Sequence, residues 1–214
     1  MNVFKNFILT LLIFLFFPFT SLSQKNLHGP SLNGKKVIYV YGGMKGHSPK
    51  ESVNLFVPIL EKEGASVKVF DNFSVYEDEK LMNEADLIIQ IFTDAFTSDP
   101  RMNNDQFKGL RKALVNGTGF AGWHGGLGHS SPNPLYHFIV GGDFVTHPGE
   151  LKEMKTAEYE VKIYDKEDYI TNGISDFKIS GSEQYYMMID PNVKVLAVSE
   201  FKLNNWPTDE NEIK

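Results

Sequence analysis

The chain of 214 residues contains no cysteine. Nucleophilic catalysis through a thiol, a disulfide framework and a lipid anchor on cysteine are therefore excluded, whatever compartment the protein occupies. A basic surplus is lacking too: 21 Lys and Arg stand against 27 Asp and Glu, for a net charge of −6. Nucleic-acid binding needs clustered cations to neutralise phosphates, so this balance predicts no nucleic-acid partner. Gly42-Gly43-Met44-Lys45-Gly46 and Gly141-Gly142 match neither G-x-G-x-x-G nor the P-loop, and both read as turns. No nucleotide cofactor is expected.

A long apolar run is also missing from the N-terminus. Phe7 to Phe17 is an apolar stretch of eleven residues ended by Pro18, short of the about 20 that cross a bilayer. With Lys5 before it and Ser21-Leu22-Ser23 after it, the stretch predicts a signal peptide over residues 1–23, cut before Gln24. The expectation is an exported protein, periplasmic or extracellular in a bacterium, with no stable membrane anchor after cleavage. Loss of Lys5 moves the charge from −6 to −7. Residues 24–35 read as a polar leader and 36–214 as one domain, whose 42% hydrophobic content suffices for a core without disulfides.

What is present is alternation of strands and helices. Lys36 to Tyr41 is β-branched and aromatic and closes on Gly42-Gly43, as a buried parallel strand does. Ser48-Pro49-Lys50-Glu51 reads as a capping box opening a helix with Val53, Phe56, Val57 and Leu60 on one face, stopped by Gly64. A strand at Val67 to Phe70 completes a βαβ unit. Ala85 to Phe92 is the next strand, Asn103-Asn104-Asp105 caps a helix carrying Phe107, Leu110 and Leu114, and Gly119 to Trp123 is a further strand. These elements predict an open, mostly parallel sheet with helices on both faces. Ligands of such sheets sit beyond the carboxyl ends of the strands, where loops 42–47, 71–76, 93–102 and 124–134 should meet. Beyond Val140, Glu158 to Tyr164 alternates like an exposed strand and Val193 to Val198 reads as an apolar one. Phe138 and Phe144 read as core.

Gly122-Trp123-His124-Gly125-Gly126 has the form of a strand-to-helix elbow, in which flanking glycines hold the central side chain above the sheet edge. In α/β hydrolases that side chain is serine, and in class I glutamine amidotransferases it is cysteine. Here it is imidazole. Ser130 and Ser131 lie past the elbow with no base and acid arranged around them in sequence, which gives a serine hydrolase no support.

Four segments, Gly119 to Gly126, Tyr136 to Pro148, Ile170 to Phe177 and Glu183-Gln184-Tyr185, together resemble the trehalose-utilisation (ThuA-like) family. The resemblance implies a flavodoxin-like α/β domain related to the class I glutamine amidotransferases without their cysteine. It implies a part in catabolism of trehalose, other glycosides or keto-sugars. Members of the family usually continue with a further tryptophan-containing strand and a Gly-Lys-Gly-Arg strand ending in Leu-Gly-His; neither is in this sequence, so a missing C-terminal strand is expected.

His47, His124 and His147 fall where the ligand face is expected, and catalytic zinc takes three protein ligands with one open position. They form the candidate set for a divalent metal such as zinc, with Glu183 as an additional ligand. The plainer reading has His147 in a turn, bonded to a carbonyl. Without metal, His124 would be the general acid or base, with Asp94 or Glu183 as its carboxylate partner. Trp123, Tyr185 and Tyr186 are candidates for contact with a sugar, since aromatic faces stack on its C–H side; the alternative places Trp123 in the core. The leading expectation is a hydrolase or lyase acting on a sugar or keto-sugar. The competing one is a non-catalytic sugar-binding module on a degenerate amidotransferase-like fold. A free sheet edge offers a route to self-association.

Overall fold

A computed structural model describes residues 31–93, 101–147 and 157–200. The signal-peptide reading, most of the leader and the candidate Asp94 lie outside these residues.

Four strands form the parallel sheet: β1 (Lys36–Gly43), β2 (Ser66–Phe70), β3 (Leu87–Thr93) and β4 (Gly119–Ala121), in the order β2-β1-β3-β4. The long β1–β3 pairing runs in register from Val37 opposite Leu87 to Gly43 opposite Thr93. Because successive strand residues face opposite ways, the sheet has two cores. Val37, Tyr39, Ile89 and Ile91 face one side with Val53, Val57 and Leu60 of helix α1 (Pro49–Lys62). Ile38, Val40, Ile88 and Phe92 face the other, beneath α2 (Glu79–Glu84), α3 (Asn104–Val115) and α5 (Pro134–Val140). This is a flavodoxin-like layering, with helices on both faces as the alternating pattern predicts.

Asn103 caps α3 through its Oδ1, which accepts from Gln106 N, while Gln106 Oε1 accepts from Asn103 N. Ser48 does not cap α1 with its side chain; it sits at φ 50°, and its conformation serves the turn before it. Phe56 leaves the core stripe and packs against Trp123 at a ring distance of 4.7 Å. The 71–76 loop is not a ligand loop: Phe73, Val75 and Tyr76 form a buried turn in the second core. Phe138 is 73% exposed on α5, so the core reading fails there. Tyr136, two residues earlier, occupies the buried position on that short helix instead.

Two antiparallel pieces complete the described fold. β5 (Gly142–Thr146) pairs with β8 (Tyr186–Ile189), and β6 (Ala157–Ile163) lies between β7 (Phe177–Ser182) and β9 (Ala197–Ser199). β9 covers only the end of the stretch expected as a strand, whose first residue, Val193, instead closes a turn by its N–H to the Asp190 carbonyl. Among the described residues no helix is long and apolar enough to cross a membrane.

Candidate active site

Strand β4 ends at Ala121, and the chain turns through Gly122, Trp123 and His124 into α4 (Gly125–Gly128). A Cβ on Gly122 would lie 2.4 Å from the Gln90 carbonyl oxygen, so only glycine lets the elbow close against β3. His124 takes φ 54° and ψ −149°, a region that costs a non-glycine residue about 1–3 kcal/mol. Ser48 is the other described non-glycine residue with positive φ, and both line one cavity. Backbone strain thus collects at this spot.

The elbow is pinned from below by a buried polar network. Gln90 Nε2 donates to Ser130 Oγ and to Tyr136 Oη, both at 2.7 Å, and Tyr76 Oη donates to Gln90 Oε1 at 2.6 Å. Tyr136 Oη in turn donates to the Leu127 carbonyl of α4, and Ser130 Oγ to that of Phe92. Burial pushes both tyrosine hydroxyls up, far from ionisation. Ser130 is therefore committed to holding the fold.

His47 reaches the elbow from the short turn Lys45–His47 that follows β1. Its Nδ1 meets Thr93 Oγ1, at the end of β3, at 2.8 Å. A Cβ on Gly125 would stand 3.1 Å from His47 Cε1, so a glycine there gives the imidazole room. The His47 and His124 rings meet edge to face, centroids 4.8 Å apart.

The antiparallel pieces bring the rest. Glu183 follows β7 directly, Tyr185 precedes β8, and His147 follows β5. His124 Nε2 lies 3.1 Å from Glu183 Oε2, and His147 Nε2 lies 3.7 Å from the same oxygen. Tyr185 Oη and His124 Nδ1 are 2.8 Å apart, while His147 Nδ1 donates to the Gln184 carbonyl at 3.2 Å. Phe144 packs on both Tyr185 and His147. Burial, then the neighbouring His47, holds His124 below the ordinary histidine range; Glu183 pulls the other way and does not overcome them. His124 thus favours the neutral imidazole near neutral pH.

A cavity of about 430 Å³ opens over this group, bordered by His47, Ser48, Thr93, Trp123, His124 and Glu183. Trp123 is 38% exposed and leans on Phe56 at the rim, so it is not a core residue. Of the residues singled out from sequence, His47, His124, Glu183 and Trp123 line this cavity, with Tyr185 and His147 touching them from behind. Tyr186 stands opposite Thr146 in β8 and does not line it. Donor atoms of His47, His124 and Glu183 all lie within 4.8 Å of one another, whereas His147 falls outside that group. Sequence reasoning missed Thr93 and the Gln184 carbonyl. Thr93 was detectable as the polar residue that ends an apolar strand; a backbone carbonyl leaves no signal.

A family model described as trehalose utilisation, ThuA, matches residues 36–212. Comparison with curated proteins found no match. Among solved structures, a ThuA-like protein from Bacteroides uniformis superposes with a TM-score of 0.62 at 18% identity, covering 79% of this chain and 69% of its own. One from Parabacteroides merdae gives 0.55 at 15%, covering 81% and 71%. At such identities these structures support the shared fold, while the family match extends over most of the sequence. The chain belongs to the ThuA, trehalose-utilisation, family.

Proposed function

We propose that the protein is an exported member of carbohydrate catabolism that acts on a glycoside or keto-sugar at His124. The observation that carries this reading is the meeting of the His124 and His47 imidazoles with the Glu183 carboxylate in a cavity beyond the strand ends. Family membership supports a carbohydrate as the ligand. A strained elbow is not needed to bury a histidine, but it is needed to hold one over a cavity. His124 supplies an imidazole whose Nε2 faces the Glu183 carboxylate at 3.1 Å, and Trp123 supplies an apolar face at the rim. That set suits hydrolysis or elimination at a sugar and does not suit amide transfer from glutamine, which needs the absent thiol.

The full chain should be assayed on trehalose, other glycosides and their keto forms. We expect His124→Ala to lose at least about 10²-fold in kcat/KM. Trp123→Ala should raise KM about three- to tenfold with kcat little changed, the signature of lost uniform binding. Full activity in His124→Ala would sink the assignment. Tight sugar binding without turnover would establish the binding module instead.

A further inference from the structure

We infer that His47, His124 and Glu183 are the three protein ligands of one zinc-class divalent cation, with His147 beside the ion and outside its ligand set. The inference rests on reading this cavity as the reacting centre, and adds the cofactor that the centre is built to hold.

Three observations carry it. First, both imidazoles of the group have their Nδ1 tied off: His47 on Thr93 Oγ1 and His124 on Tyr185 Oη. Metal-binding histidines are oriented in this way, the outer nitrogen anchored so that the inner one meets the ion. Tyr185 suits the purpose because a hydroxyl can donate or accept. It can therefore accept from Nδ1–H when Nε2 gives its lone pair to a metal, and donate to Nδ1 when Nε2–H faces Glu183.

Second, the spacing fits. An ion about 2.0–2.1 Å from each ligand in tetrahedral geometry separates donor atoms by about 3.3 Å. The His124–Glu183 separation is 3.1 Å, and all three donors lie within 4.8 Å of one another. The perpendicular His47 and His124 rings would meet one ion from two directions.

Third, the donor chemistry is selective. Two imidazoles and one carboxylate, with no thiolate, suit zinc and its late first-row neighbours more than calcium or magnesium, which prefer all-oxygen shells. Three protein ligands leave one position open toward the cavity, where such an ion acts as a Lewis acid on a carbonyl oxygen or a water.

The test uses the full, tag-free chain stripped with chelator and titrated with Co²⁺, then with Zn²⁺. One equivalent of Co²⁺ per chain is expected, with the intense visible bands of a four- or five-coordinate ion, displaced by Zn²⁺. Tyr185→Phe, which keeps the ring, should weaken binding about 10-fold or more. His147→Ala should still take up one equivalent, while combined His47→Ala and Glu183→Gln should abolish uptake, with circular dichroism confirming a folded chain. Absence of saturable Co²⁺ binding by the folded wild type overturns the proposal, as does loss of the ion in His147→Ala or its retention in the combined variant. A bound ion without turnover of any sugar would remove the carbohydrate reading and leave the cation. Turnover indifferent to chelation would remove the cation and leave the carbohydrate.

Discussion

His124 is held in two unfavourable states at once, a backbone conformation that favours glycine and a partly desolvated position that disfavours its charged form. A histidine kept only for packing would need neither. The strain can be measured at the same position with two substitutions that both delete the imidazole. At an ordinary strand or helix site, glycine is less stable than alanine by about 0.5–1 kcal/mol. At φ 54° the order should invert, and we expect His124→Gly to be more stable than His124→Ala by about 1 kcal/mol in urea unfolding, because alanine keeps a Cβ in the disfavoured region. Both variants should be inactive. Alanine equal to glycine or better would show that the elbow is relaxed. At this scale the sequence was informative, since glycines on both sides of one histidine announced the elbow. It could not say which histidine would join His124, because His47 and His147 are far apart along the chain.

At the scale of elements, the site depends on how α4 is fastened to the sheet. Gln90 is a polar residue in the middle of the apolar strand β3, and sequence alone offered no use for it. The structure supplies one: its amide joins Tyr76, Ser130 and Tyr136, which between them reach α4 and the end of β3. Gln90→Leu would keep the volume and leave the buried Tyr76 hydroxyl without its acceptor, while Ser130 and Tyr136 would lose a donor and keep their bonds to the Phe92 and Leu127 carbonyls. We expect a loss of about 1–3 kcal/mol, the cost of one unsatisfied buried group. Chemical denaturation of the purified variant reads this directly, and a change below about 0.5 kcal/mol would show the network to be dispensable. The short elements α2 and β8 lay beyond sequence reading for a related reason. Their few residues carry too little periodicity, and neighbours in space decide their conformation.

For the whole molecule, the cavity is a joint between layers. The parallel sheet provides His47, Thr93 and His124, while the antiparallel pieces provide Glu183, Tyr185 and His147. Anything bound there links the two. Acid should loosen the protein, because His124 and His129 are both held below the ordinary histidine range, in each case chiefly by burial. Groups depressed in the folded state favour the native form fully above the unfolded value of about 6.5, and that contribution is lost as pH falls through their folded values. The urea midpoint should therefore drop between about pH 7.5 and about pH 5. A midpoint that rose on acidification over this interval would contradict the burial of these rings.

By itself the sequence determined the parallel α/β layering, since strand and helix periodicities are local and the two-faced burial of β1 and β3 follows from alternation along each strand. It also determined that no thiol chemistry is available and that a histidine tops the elbow. Only the tertiary structure decided which groups surround that histidine. Glu183 and Tyr185 arrive from a region about sixty residues downstream, and no local pattern encodes a contact made by folding one layer over another. The carboxylate, the tyrosine and the second imidazole became one site because packing converged them on the carboxyl ends of the strands, where the sheet leaves room for a ligand.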